Sequence, residues 1–112
     1  MGNFIVRKTI DGDYSFNLIT DDLQVVLTSQ IYSSKSDCLN GIEAVRQNCS
    51  DHSRYEHKQA ASRKHFFILN TPEGHLIATS TMYDTNVGLD NGIESVIKNG
   101  RSTTVVEEEP YF

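Results

Sequence analysis

Asn40-Gly41-Ile42-Glu43-Ala44-Val45 returns fifty-one positions later as Asn91-Gly92-Ile93-Glu94-Ser95-Val96. Working outward at the same offset, Asn48 meets Asn99, Tyr32 meets Tyr83, and Thr28-Ser29 meets Thr79-Ser80. Phe16-Asn17-Leu18 meets Phe67-Ile68-Leu69. No gap interrupts the match, so the chain consists of two tandem copies of one unit. A unit of this size buries too little surface to stand comfortably alone, and two copies are too few for a solenoid. The expected arrangement is two halves sharing one core about a pseudo-twofold axis. The 112 residues then form a single duplicated domain over 1–107, with repeat one at 1–52, repeat two at 53–107 and a flexible acidic tail at 108–112.

Each copy has the same local grammar. Phe4-Ile5-Val6-Arg7-Lys8 is a short extended run that stops at Asp11-Gly12-Asp13, a hairpin signal. Tyr14, Phe16 and Leu18 alternate along the second run, and Leu23, Val25 and Leu27 along the third. The period then changes. Ser34 with Asp37 three residues on has the form of a capping box, and Cys38, Ile42, Val45 and Cys49 make one helical stripe, widened by Leu39. In the second copy Tyr55–Lys58, Lys64–Asn70 and His75–Ser80 are the strands, with a turn at Thr71-Pro72-Glu73-Gly74. Asp84 or Thr85 caps a helix carrying Leu89, Ile93 and Val96, which Asn99-Gly100 stops. A last extended run at 103–107 joins an edge of the sheet.

These elements read as α+β: an antiparallel sheet of about seven strands with two helices on one face. Strict alternation assigns Tyr14, Phe16, Leu18, Val25, Phe67, Leu69 and Leu76 to the helix-covered face. It sends Ser15, Asn17, Gln24, Val26, Thr28, Ile68, Ile77 and Thr79 to the open one. Val26, Ile68, Ile77, Asn17, Thr28 and Thr79 are therefore the candidate interaction face.

Charge and composition exclude more than they assign. Fifteen acidic against ten basic side chains leave a net charge of -5, the wrong sign for a nucleic-acid binder. No apolar run reaches membrane-spanning length, and the first residues lack a signal-peptide pattern, so the expected location is the cytoplasm. Cys38 and Cys49 lie ~16 Å apart along one helix, too far for a bridge within it, and read as buried thiols. The four histidines show no helical metal-ligand spacing. No phosphate loop, dinucleotide fingerprint or nucleophile motif is present, so no catalytic, cofactor or metal residues are assigned. Gly41 and Gly92 stand mid-helix, where each costs about 1 kcal/mol relative to alanine. Their retention in both copies points to a close approach that a Cβ would block.

Phe-x-Leu, Thr-Ser, Tyr and Asn-Gly-Ile-Glu-x-Val, each appearing twice, resemble the YegP-like family of small bacterial proteins. Arg54-Tyr55-Glu56-His57-Lys58 between the copies and Met82-Tyr83 before the second helix carry the same resemblance, which spans roughly residues 3–107. It implies tandem β-β-β-α-β units that build one antiparallel sheet and exchange their terminal strands, with helices packed on it. It implies no activity. The turns Ile19-Thr20-Asp21-Asp22 and Asn70-Thr71-Pro72-Glu73-Gly74 depart from the lysine-bearing, Asn-Gly-like turns of the family.

The functional expectation is a non-enzymatic protein-interaction module acting through the open face; the sequence leaves the oligomeric state open, with a monomer favoured. The alternative is a ligand-binding or enzymatic cleft built from Tyr32, Glu43, Tyr83 and Glu94; nucleic-acid binding ranks below both. Because each copy has one amphipathic helix and three short strands, neither half is expected to fold alone. A fragment ending at Ser53 should show no cooperative melt and no dispersed amide spectrum; a cooperative transition from it would contradict a shared core.

Overall fold

The computed structural model describes residues 2–108. Strands β1 (Asn3–Lys8), β2 (Tyr14–Ile19) and β3 (Val25–Ser29) lead into helix α1 (Lys35–Asn48). Strands β4 (Tyr55–Gln59), β5 (His65–Asn70) and β6 (Leu76–Thr79) lead into α2 (Asn86–Asn99), and β7 (Val105–Glu108) closes the chain's described part. Glu108 thus belongs to a strand rather than to the expected tail, and 109–112 lie outside the described residues. The N-caps are those expected: Ser34 Oγ accepts from the Asp37 N–H at 3.1 Å and Thr85 Oγ1 from the Gly88 N–H at 3.0 Å.

The seven strands form one sheet in the order β4-β5-β6-β3-β2-β1-β7. The halves meet at β3 and β6, where Thr28 pairs with Thr79, its own counterpart in the other repeat. A residue paired with its repeat equivalent lies on the pseudo-twofold axis. The terminal strands are exchanged: β4 follows the helix of repeat one but pairs with β5, and β7 follows the helix of repeat two but pairs with β1. Pairing is antiparallel except between β1 and β7, which run parallel, so the sheet is mixed. The slot beside β2 is already filled by β1, so β7 pairs on the outer side of β1.

Both helices lie across the two halves: α1 packs on β2, β5 and β6, and α2 on β5, β3 and β2. The core they cover holds Phe4, Val6, Phe16, Leu18, Leu27, Phe67, Leu69 and Ala78 from the sheet. Cys38, Ile42, Val45 and Cys49 of the first helical segment and Leu89 and Val96 of the second meet them, with Ile93 half-buried at the margin. Leu39, expected to widen the stripe, is exposed. Each large side chain buried completely here contributes about 1.5–3 kcal/mol.

One correction reorganises both faces. Leu18 pairs with Leu27 but Ile19 pairs with Val25, so Val26 is an extra residue, a β-bulge. The other copy repeats it: Leu69 pairs with Ala78 and Asn70 with Leu76, leaving Ile77 as the extra residue. A one-residue slip inverts the parity of everything beyond it. Val26 and Ile77 therefore join Leu27 and Ala78 beneath the helices, at 5 % and 3 % exposure. Val25 and Leu76, expected beneath the helices, are on the solvent side at 37 % and 40 %.

Leu23 does not continue the strand face either. In the β2–β3 turn the Thr20 N–H donates to Gln24 O and the Leu23 N–H to Thr20 O, both at 2.9 Å. The β5–β6 turn has the same two bonds, from Thr71 to His75 O and from Gly74 to Thr71 O. This geometry places one residue in the left-handed region: Gly74 at φ 88° in one copy and Leu23 at φ 65° in the other. A leucine there carries a steric cost of about 1–2 kcal/mol that glycine avoids. Leu23 is 77 % exposed and loses little packing on truncation. Leu23→Gly is expected to stabilise the protein by about 0.5–1 kcal/mol after the added unfolded-chain entropy, and Gly74→Leu to destabilise it similarly. Urea denaturation checks the signs.

Candidate functional site: the open sheet face

The face opposite the helices is organised around one row of residues that crosses the whole sheet. Pairing places Val106, Ile5, Asn17, Thr28, Thr79, Ile68 and Glu56 side by side. Asn17 is held in that row: its amide donates to Thr28 Oγ1 at 2.9 Å and to Leu27 O at 3.3 Å, and its oxygen accepts from Arg7. Of the six expected face residues, Asn17, Thr28, Ile68 and Thr79 occupy this row, while Val26 and Ile77 are in the core. The residues missed are Val25, Leu76 and Ile19. The bulges bring Val25 and Leu76 to opposite ends of the two central strands, with Ile19 beside Val25. The face is thus a polar centre of two threonines and an asparagine, flanked by aliphatic side chains.

The alternative cleft does not assemble. Tyr32 and Tyr83 are committed to the core side, stacked on Phe16 at 6.4 Å and on Phe67 at 6.2 Å between ring centroids. Each is also bridged to the start of its own sheet half, Tyr32 to Tyr14 and Tyr83 to His65. Their hydroxyls lie against the helix backbone where Gly41 and Gly92 have no side chain; a Cβ at either position would overlap the phenol oxygen. The close approach expected at these glycines is made by a tyrosine. Desolvation by burial pushes the Tyr32 hydroxyl above its usual pKa. Glu43 instead pairs with Arg46 at 3.0 Å along α1, and Glu94 meets His52 Nε2 at 3.2 Å. Neither carboxylate meets a tyrosine in these contacts. Both are solvent-exposed and act as surface ion-pair partners.

Three further placements were only partly legible beforehand. Ser29 and Ser80 are buried and perform one task twice: each hydroxyl accepts from a phenylalanine N–H, Phe16 at 2.8 Å or Phe67 at 2.9 Å, and donates to the following carbonyl. Their signal was the repeated Thr-Ser pair. Cys38 and Cys49 are free and fully buried. Burial pushes the Cys38 thiol up to about 11 and raises that of Cys49, so neither is a thiolate at neutral pH. His57 and His65 come together across β4 and β5, Nε2 to Nδ1 at 2.9 Å. No cluster of three or more metal-ligating side chains exists among the described residues.

Comparison with known proteins agrees with this architecture. The family described as "Domain of unknown function (DUF1508)" matches twice, over residues 11–56 and 60–107. The chain is similar to the UPF0339 protein YegP of Yersinia pestis, 34 % identical over 105 residues and covering 94 % of each chain. It is 38 % identical over 104 residues to YegP of Escherichia coli K12, covering 93 % of this chain and 94 % of that one. Two solution NMR structures share the fold. The UPF0339 protein of Shewanella oneidensis has a TM-score of 0.89 at 36 % identity, over 95 % of this chain and 90 % of that one. The Escherichia coli yegP protein, titled a protein of unknown function, has 0.90 at 36 %, over 96 % and 92 %.

The tyrosine–glycine seats generate a test in which two effects have opposite signs. Helix propensity alone makes Gly92→Ala stabilising by about 1 kcal/mol. Overlap with Tyr83 makes it overpacked, a cost of about 1–3 kcal/mol. Net destabilisation is expected in chemical denaturation, partly relieved by Tyr83→Leu in the same chain. A gain in stability would mean the seat is loose.

Proposed function

Because the chain belongs to the DUF1508 family and carries both of its repeats, we propose that it is a non-enzymatic protein-interaction module acting through its open sheet face. The observation that carries this reading is the pair of bulges. They move two aliphatic side chains, Val25 and Leu76, out to the solvent side at equivalent positions of both copies. The extra residue in each central strand exchanges Val26 for Val25 and Ile77 for Leu76 on the solvent side, so each of these strands keeps one aliphatic side chain facing outward. With half-buried Ile19, Phe66 and Ile68 on the same side, the face offers aliphatic contact around a hydrogen-bonding centre. A mixture of apolar and hydrogen-bonding groups is the composition of non-obligate protein interfaces, which are about as apolar as the rest of the surface.

Nucleic acid is disfavoured by the net charge of -5. The reading places the protein in the cytoplasm as a monomer. Two free buried thiols suit a reducing compartment, and among the described residues no helix is long and apolar enough to cross a membrane.

Site-specific photo-cross-linking in cells tests the face. A photoreactive residue at Leu76 should give a discrete adduct with another protein, identified by mass spectrometry. One at exposed Asp90 on α2 should not. Ile68→Asp should reduce the Leu76 adduct roughly tenfold, the effect of losing about 1.4 kcal/mol at a contact residue. Val25→Asp should leave folding stability within about 0.5 kcal/mol, as an exposed change does, whereas Val26→Asp should unfold the protein. Equal adducts from Leu76 and Asp90, or none from Leu76, would overturn the proposal.

A further inference from the structure

The two edges of the sheet are not equivalent, although the repeats that form them are. Strand β1 and strand β4 are counterparts at the offset of fifty-one, and their first aromatic residues behave alike. Phe4 packs edge-on against Phe16 at 5.9 Å, and Tyr55 packs edge-on against Phe67 at 5.6 Å. Yet β1 is covered on its outer side by β7, while among the described residues no strand lies beyond β4. Among the described residues there are two copies of the acceptor edge and a donor strand for one of them.

What the filled edge accepts can be read directly. Strand β7 lies parallel to β1, with Phe4 opposite Val105, Ile5 opposite Val106, Val6 opposite Glu107 and Arg7 opposite Glu108. The Phe4 N–H donates to Thr104 O at 3.0 Å. Arg7 Nε meets Glu108 Oε1 at 3.2 Å, and Lys35 of α1 meets Glu107. The donor is thus a short extended segment whose acidic end is held by cations.

The empty edge retains this chemistry in part. Transferred by fifty-one positions, Arg7 becomes Lys58, and Phe4 becomes Tyr55. The Tyr55 N–H turns back to His52 O. By the alternation of the strand, the N–H of His57 faces outward two residues further on. Lys58 is ion-paired to Glu56 within its own strand at 3.0 Å, with both side chains about half exposed. Residues 54–65 carry Arg54, Lys58, Arg63 and Lys64 and two of the four histidines against a single acid, Glu56, in a chain whose net charge is -5; Arg54 is paired with Asp51 at 3.2 Å and Lys64 with Asp84 at 3.5 Å. The basic corner of an acidic protein therefore coincides with its open edge.

We propose that the outer edge of β4 receives an extended acidic peptide segment of another protein as an eighth strand, parallel to β4, as β7 is received by β1. This is recognition by strand addition: backbone hydrogen bonds supply affinity, and Lys58 with its basic neighbours selects an acidic strand end. The inference rests on the pseudo-symmetry of the edges and not on the open face. Charged residues on an edge also deter indiscriminate pairing, which is consistent with an edge that admits only a complementary charge pattern.

The probe is a synthetic peptide of residues 102–108 with both ends blocked, added to the full chain and followed by amide chemical shifts. Saturable shifts centred on Tyr55–Gln59 are expected, weakened as salt is raised. Lys58→Glu should weaken binding roughly fivefold, the scale of a cross-strand ion pair turned to repulsion. His57→Pro, which removes an outward N–H and spares the pairing with β5, should abolish it. A peptide with lysines in place of its glutamates should bind less tightly. Absence of shifts on β4 with saturating peptide would overturn the proposal, as would shifts confined to β1, which would signal exchange with β7. Shifts on β4 that follow protein concentration without peptide would also overturn it, by making a second copy the occupant.

Discussion

The pairing of Thr28 with Thr79 at the centre of the sheet is the joint on which the molecule depends. A half of about fifty residues has three short strands and one helix, too little to enclose a core. Joining β3 to β6 makes one sheet wide enough for both helices, and each helix then crosses onto the other half. Phe16 and Phe67, on equivalent strands, are both fully buried only because α1 and α2 overlie the joined sheet together. The exchange of β4 and β7 adds covalent crossing to this shared packing.

The helices are brought close by an arrangement that occurs twice. A tyrosine just ahead of each helix lies flat on a core phenylalanine and places its hydroxyl under the helix at a glycine. The loss of helix propensity at Gly41 and Gly92, about 1 kcal/mol each, is offset by the contact it permits between helix backbone and aromatic ring. In the sequence the same tyrosines fit a ligand-stacking role as well as a packing one, each being an aromatic repeated ahead of a repeated glycine; the stacking on Phe16 and Phe67 decides for packing. With the tyrosines half-buried against the core and Glu43 and Glu94 on surface ion pairs, the remaining surface of interest is the sheet itself.

Duplication produced equivalent backbones with unequal side chains. Gly74 and Leu23 hold the same turn position with positive φ, as Gly12 and Arg63 do in the preceding turns. The two helix C-caps, Cys49 and Gly100, touch each other, and a Cβ on Gly100 would come within 2.9 Å of the Cys49 sulfur. One side chain fits at that meeting point and two do not, so the pair had to diverge. A further divergence is at the edges, where among the described residues two acceptor strands meet one donor.

Much of the fold was written in local pattern. The repeat offset, the helices at Cys38–Cys49 and Leu89–Val96, their Ser34 and Thr85 caps, and the clean alternation of Phe16-Asn17-Leu18 and Phe67-Ile68-Leu69 are all short-range signals. They carry the α+β class, the shared core and the Asn17, Thr28, Ile68 and Thr79 part of the open face. The rest of that face was decided by tertiary structure. Val25-Val26-Leu27 and Leu76-Ile77-Ala78 are unbroken apolar runs, and an unbroken run has no period from which a face can be read. Which residue turns inward depends on where the helices lie and on whether the partner strand admits an extra residue. The bulges at Val26 and Ile77 seat these residues beside Leu27 and Ala78 beneath the helices and turn Val25 and Leu76 outward in exchange.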